Sequence, residues 1–214
     1  MNATQLTALI LQQRVIPLYY HEDVSICLER MKSLYDAGVR IIEFTNRGEK
    51  ALPNFSKMIR RRNEVFPDLL LGIGTIFSSV AAESFIAQGA DFLVSPAFSS
   101  ELAAYSKEKD ILYIPGCMSP TEIYTAVADG CNLIKIFPAQ VLGSSFIKSV
   151  KELFPTVHFM PTGGIALAEL ANWFAAGASV IGVGGPLFNA VSTTTELENN
   201  MRTLLAQADP GQTD

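Results

Sequence analysis

Histidine is almost absent from this chain: of 214 residues only His21 and His158 carry an imidazole, and they lie far apart in sequence. Cysteine is nearly as scarce. Cys27, Cys117 and Cys131 form no C-x-x-C and have no histidine nearby, which argues against a zinc site and a disulfide framework and for reduced thiols in a cytoplasmic protein. No apolar run reaches the roughly 18 to 20 residues of a membrane span. The N-terminal segment, apolar at Leu6, Leu9 and Ile10, lacks a basic leader and a small-residue cleavage site, so it reads as a packed first helix. Dense basic blocks are missing too: 16 Lys+Arg stand against 21 Asp+Glu, which excludes the electrostatic footprint of a nucleic-acid or anionic-membrane binder. The one cluster, Arg60, Arg61 and Arg62, reads as a solvated helix face. No linker-like composition interrupts the chain, so residues 1–207 are read as one domain and 208–214 as a polar C-terminal tail.

What the chain does have is repetition. A helix-like stretch, a glycine and a β-branched run recur as D-A-G-V-R-I-I (36–42), A-Q-G-A-D-F-L-V (87–94), A-D-G-C-N-L-I (128–134) and A-A-G-A-S-V-I-G-V (175–183), with Gly38, Gly89, Gly130 and Gly177 where a helix end needs positive φ. Other apolar runs complete eight strand candidates near 14–19, 39–44, 69–73, 91–95, 111–114, 132–137, 157–160 and 179–183. Steps of 20 to 30 residues accommodate one strand, one helix and two short loops, so every connection is predicted to be a right-handed crossover between parallel strands. Eight such units predict an α/β protein, a (β/α)8 TIM barrel with an extra N-terminal helix, in preference to an open doubly wound sheet. Its chemistry then belongs after Phe44, Ile73, Ser95, Phe137 and Val183, at or near the C-terminal strand ends.

Lys135 is the sharpest anomaly. In N-L-I-K-I-F-P, period-2 alternation puts Leu133, Lys135 and Phe137 on one face and Ile134 and Ile136 on the other; the isoleucines suit the helices, and Lys135 points inward. Desolvation makes an ammonium release its proton more readily, which imine formation with a ketone requires. Glu43 is a second charge embedded in an apolar strand, V-R-I-I-E-F-T-N-R-G. Facing the lysine, it is either a structural ion-pair partner or a proton carrier for carbon–carbon cleavage. Arg47, four residues on, offers a planar site for a carboxylate. P-T-G-G-I (161–165) and G-V-G-G-P (182–186) bring paired glycines after the last two strands, where backbone N–H groups can approach an anion. His158, within V-H-F-M, reads as a packed or hydrogen-bonded strand residue.

The ordered set I-E-F-T-N-R (42–47), G-I-G-T (72–75), S-P (95–96), I-P-G (114–116), I-K-I-F-P-A (134–139), P-T-G-G-I (161–165) and V-G-G (183–185) resembles the class I aldolases acting on 2-keto-3-deoxy-6-phosphogluconate (KDPG) and 4-hydroxy-2-oxoglutarate (KHG), in register over roughly residues 14 to 190. The resemblance implies a (β/α)8 lyase, usually homotrimeric, that needs neither metal nor cofactor and splits a small keto acid into pyruvate and an aldehyde. It makes Lys135 the imine-forming residue and Glu43 the general acid/base. It assigns Arg47, Thr75 and Thr162 to the pyruvyl carboxylate, Pro96 and Phe137 to the pocket around the reacting carbons, and Gly163, Gly164, Gly184 and Gly185 to a phosphate. Two positions depart from the family: Pro186 stands where a Ser is common, and Gln140 where the best-known members have Glu. Proline brings neither hydroxyl nor N–H. The competing readings are an isomerase or decarboxylase using Lys135 as a charged donor, and a noncatalytic sugar-acid-binding barrel.

Overall fold

A computed structural model describes residues 1–189 and 191–209. The strands are β1 (Val15–Tyr19), β2 (Ile41–Thr45), β3 (Leu70–Gly74), β4 (Phe92–Val94), β5 (Leu112–Ile114), β6 (Gly116–Cys117), β7 (Leu133–Ile136), β8 (His158–Pro161) and β9 (Ile181–Val183). Helix α1 (Ala3–Gln13) precedes them, and α2 (Val24–Asp36), α3 (Ala51–Val65), α4 (Ser79–Ile86), α5 (Ser100–Glu108), α6 (Pro120–Ala128), α7 (Ala139–Leu142), α8 (Ser144–Leu153), α9 (Leu170–Ala175), α10 (Gly185–Asn189) and α11 (Thr194–Ala208) follow between and after them. Ladder pairing is parallel throughout, in the orders β5-β4-β3-β2-β1-β9 and β6-β7-β8. All eight expected strands are present. Beyond them, β6 is a stretch the sequence did not reveal: across Pro115 the chain leaves its pairing with β4 and takes up β7. The result is an α/β fold on a curled parallel sheet.

Alternation along the strands sorts the core into two layers. Ile16, Ile41, Phe92, Val94, Leu112, Ile114, Leu133, Met160 and Val180 form a concave-side cluster with Leu6 and Ile10 of α1. Their sequence neighbours Ile42, Leu71, Ile73, Leu93, Ile134, Ile136, Phe159 and Ile181 join the convex-side cluster under the helices. Helix α1 starts on a reciprocal Asn2–Gln5 capping box and ends at Arg14, whose backbone is left-handed at φ 61°. Its last residue, Gln13, accepts from the backbone N–H groups of Arg40 and Ile41 and donates to the carbonyls of Val15 and Ile41. One amide thus closes the N-terminal end of the β1–β2 pair beneath the α1 side chains. The four repeat glycines, Gly38, Gly89, Gly130 and Gly177, all have positive φ, between 91° and 104°.

Two expectations change. Arg62 is no part of a solvated face: it lies 2.6 Å from Asp91, whose carboxylate also accepts from the Leu71 N–H. Arg60 does face solvent. Consecutive helical positions point about 100° apart, so three adjacent arginines cannot share one environment. Helix α11 continues through Ala208, which is buried, so the polar tail begins later than 208; its residues 210–214 lie outside the described residues. His158 hydrogen-bonds through Nδ1 to Ser179 Oγ at 3.3 Å. Among the described residues no helix is long and apolar enough to cross a membrane, and Cys27, Cys117 and Cys131 are free thiols.

Candidate active site

All eleven residues singled out for binding or chemistry line one cavity of about 290 Å³ at the C-terminal ends of the strands. Two larger cavities, of about 730 and 330 Å³, lie at the opposite end, one against Gln13, Arg40 and Leu70 and the other against Thr7, Asp110 and Asn132. Neither contains any of the eleven. Chemistry, not size, distinguishes the smaller cavity.

Its floor is an ion pair. Strand β7 places Leu133 in the concave-side cluster and Ile134 and Ile136 in the convex-side one, so Lys135 falls on the concave face. On β2 the same alternation puts Ile41 and Glu43 on that face. Lys135 Nζ and Glu43 Oε1 are 3.8 Å apart, and the side chains are 6% and 1% exposed. That separation is an ion pair but too long for a hydrogen bond, and neither Glu43 oxygen has another partner. Burial therefore pushes the Glu43 carboxyl above its ordinary value, while the charges of Lys135 and Arg47 pull it partly back. The ammonium also stands 5.4 Å from the centre of the Phe137 ring.

The neighbouring strand makes room for this pair. Along β3 the concave positions are Leu70, Gly72 and Gly74, in register with Ile41, Glu43 and Thr45. A Cβ on Gly74 would stand 1.8 Å from Glu43 Oε1, and one on Gly72 would stand 2.2 Å from the Phe92 ring. Thr75 follows with φ at 63°, a left-handed conformation that strains a β-branched residue. On the far side, a Cβ on Gly182 would meet Thr162 Oγ1 at 2.3 Å. Pro96 is held by Gly116, whose Cβ would strike the Pro96 carbonyl oxygen at 2.3 Å, and by Ser95, whose hydroxyl lies 2.7 Å from that of Tyr113.

At the rim, Arg47 is exposed and makes no ion pair or hydrogen bond through its side chain among the described residues. Gly163 and Gly164 have φ of 101° and 75°, and Gln140 reaches over Gly164. The cavity also includes Ile165 and Gly182, from the two glycine-pair segments, and Leu18 and Thr45, which sequence reasoning missed. Thr45 was within reach of it, because it lies two residues after Glu43 and shares its face. Among the described residues, no three His, Cys, Asp or Glu side chains converge as a metal site.

An amine and a carboxylate shielded from water, with an unpaired guanidinium above them, suit addition to the carbonyl of a keto acid followed by proton transfer. That equipment defines the class of imine-forming lyases. The chain belongs to the KDPG and KHG aldolase family, whose family model matches residues 6–202. A 2-dehydro-3-deoxy-phosphogluconate aldolase of Treponema pallidum is 34% identical over 76% of each chain. The crystal structure of a 4-hydroxy-2-oxoglutarate/2-dehydro-3-deoxyphosphogluconate aldolase from TTHB1 superposes with a TM-score of 0.83 at 32% identity, covering 94% of this chain and 98% of that one. A Legionella pneumophila KDPG aldolase, captured with pyruvate as a covalent carbinolamine, gives a TM-score of 0.78 at 27% identity, covering 94% and 95%.

Proposed function

We propose that this protein is a class I aldolase that reversibly splits a 4-hydroxy-2-oxo acid, of the KDPG or KHG type, into pyruvate and an aldehyde. The observation that carries the reading is the buried pairing of Lys135 with Glu43 at the cavity floor. The carbinolamine in the Legionella relative supports it. The Lys135 amine adds to C2 of the substrate, and the carbinolamine loses water to give an iminium. Glu43, as carboxylate, takes the proton of the C4 hydroxyl as the C3–C4 bond breaks; the bonding pair moves into the iminium and leaves a neutral enamine, and the C4 fragment departs as an aldehyde. Protonation of the enamine at C3 and hydrolysis of the imine release pyruvate and restore Lys135. Arg47, Thr75 and Thr162 hold the carboxylate at C1, Pro96 and Phe137 flank the reacting carbons, and the glycines at 163, 164, 184 and 185 face the distal end.

Residues 1–208, one residue beyond the expected boundary, act as one domain, with the two sheets closed into a single (β/α)8 barrel plugged by α1. Chain continuity from Ile114 to Gly116 and the parallel bridge between Thr162 and Gly182 support closure. The protein works in the cytoplasm as a homotrimer. Tyr105 and Phe146 pack against the core. Phe77, Val80 and Tyr124 are 66%, 74% and 67% exposed and supply apolar area for a subunit contact. Light scattering is expected to give three times the chain mass, and a concentration-independent monomer would contradict this.

Borohydride reduction with pyruvate tests the function. One pyruvyl adduct per chain, on the peptide containing Lys135, is expected, and none after Lys135→Ala. Trapping on a different lysine, or no trapping, would favour an isomerase, a decarboxylase or a noncatalytic sugar-acid binder.

A further inference from the structure

Glu43 needs a partner that the ion pair does not supply. In the proposed mechanism it is a carboxylate when it takes the C4 hydroxyl proton and a carboxylic acid once it holds that proton, so a neighbour that serves both forms must donate to one and accept from the other. Lys135 and Arg47 can only donate. In the free protein neither hydrogen-bonds to it: Lys135 Nζ stands 3.8 Å away, and both Glu43 oxygens are buried without a partner. A hydroxyl has both capacities.

Thr45 brings one to the site. The buried polar side chains lining the cavity are Glu43, Thr45, Lys135 and Thr162. Glu43 and Lys135 face one another, and the Thr162 hydroxyl donates to the Met160 carbonyl at 3.3 Å. The Thr45 hydroxyl alone has no partner among the described residues, although the residue is only 3% exposed. It also stands at the right height. Thr45 is in register with Gly74 on β3, and the Glu43 side chain reaches up one pleat to lie over that glycine, its Oε1 1.8 Å from where a Gly74 Cβ would be. Adjacent strands are about 4.8 Å apart, so hydroxyl and carboxylate occupy neighbouring positions at one level of the cavity. Arg47 is exposed at the rim beyond both.

Resting on the aldolase reading, we infer that Thr45 is a positioning residue for the proton transfer: with substrate bound, its hydroxyl donates to the Glu43 carboxylate, turns to accept from the carboxylic acid, and so holds one Glu43 oxygen while the other faces the substrate. The test measures kcat, KM and their pH dependence for wild type, Thr45→Val and Thr45→Ser, with whichever of KDPG and KHG the wild type cleaves faster. Valine keeps the shape of threonine without its hydroxyl. Thr45→Val is expected to lower kcat about tenfold or more, the worth of one hydrogen bond to a charged group, with KM within threefold of wild type. It should also move the acid limb of kcat, which reports the bound enzyme, to higher pH, because the bond to the charged form is the stronger of the two. The limb of kcat/KM reports the free enzyme, where this bond is absent, and should stay in place. Thr45→Ser is expected to restore both kcat and its limb. Borohydride trapping of pyruvate on Lys135 shows that each variant keeps a folded site; should Thr45→Val trap nothing, Thr45→Ala replaces it under the same criteria. If the trapped variant keeps kcat within threefold, changes KM alone, leaves the kcat limb unmoved, or is matched in slowness by Thr45→Ser, this inference is wrong and the aldolase reading stands. If the wild type cleaves neither compound and pyruvate leaves no adduct, the aldolase reading fails and this inference with it.

Discussion

Gly74→Ala is a one-methyl change with a calculable effect. The new Cβ would stand 1.8 Å from Glu43 Oε1, 2.7 Å from Cδ and 3.0 Å from Cγ. Ordinary contact needs about 3.5 Å, so the carboxylate must retreat by roughly 1.5 Å. At 1% exposure it has no solvent to enter and can move only within the cavity. Overpacking of this kind costs about 1 to 3 kcal/mol, a Tm loss of about 2 to 12 °C for a domain of this size. Misplacing a reacting group by about 1 Å costs on the order of 100-fold, so kcat for pyruvate release is expected to fall by about that factor. Gly72→Ala is the control. It sits on the same strand and face, where its methyl would meet the Phe92 ring at 2.2 Å instead of Glu43, so it should lower Tm while sparing kcat of the folded enzyme. The reasoning is refuted if folded Gly74→Ala keeps kcat within threefold of wild type, or if Gly72→Ala loses as much.

Glu43 must be ionised to accept a proton, and its carboxyl is raised by burial, so kcat/KM is expected to fall as pH drops through a limb above the ordinary carboxylate value near 4.5. Arg47 holds that carboxyl down, so Arg47→Ala should move the limb to still higher pH and raise KM for keto acids; a pH–rate profile with an unmoved limb counts against the coupling. Asp91→Ala removes the carboxylate that accepts from the Leu71 N–H and pairs with the Arg62 guanidinium, leaving the guanidinium only the Leu69 and Gly89 carbonyls, and denaturant titration is expected to show a loss of about 3 kcal/mol with the active-site kinetics unchanged. Pro186→Ser restores a hydroxyl and an N–H at the rim. Paired kinetics should show it raising the kcat/KM ratio of phosphorylated over free keto acids, by about tenfold for each charge-assisted hydrogen bond gained.

Lys135 and Glu43 were legible because a charge inside an apolar, alternating strand has only one face to occupy, and the alternation of each strand supplies that face. The helix-end glycines were legible for a similar reason: each is a local requirement. Residues whose role is to be small were not. Gly72 and Gly74 are adjacent concave positions on β3, but what fills the space beside them comes from Phe92 on β4 and Glu43 on β2, and only the register discloses those partners. Arg62 escaped for the same reason, since Asp91 lies 29 residues away and reaches it only through the fold. The split between β5 and β6 depends on a change of partner strand, which the local pattern of L-Y-I-P-G-C does not encode.

The packing of α1 against the concave-side cluster has a kinetic consequence. In the proposed barrel, Leu6 and Ile10, which pack in the concave-side cluster beside the Gln13 amide, would close the end opposite the candidate site, so substrate and both products would share one doorway. Lys135 lies deep in that passage and Gln140 at its exposed rim. In the proposed mechanism the fragment nearer the doorway leaves first: the aldehyde departs while the three carbons of pyruvate are still bonded to Lys135. In the reverse direction pyruvate must enter and react before the aldehyde can be seated behind it. Excess aldehyde therefore obstructs the passage without being consumed, and synthesis slows when the two reactants are offered in the wrong order.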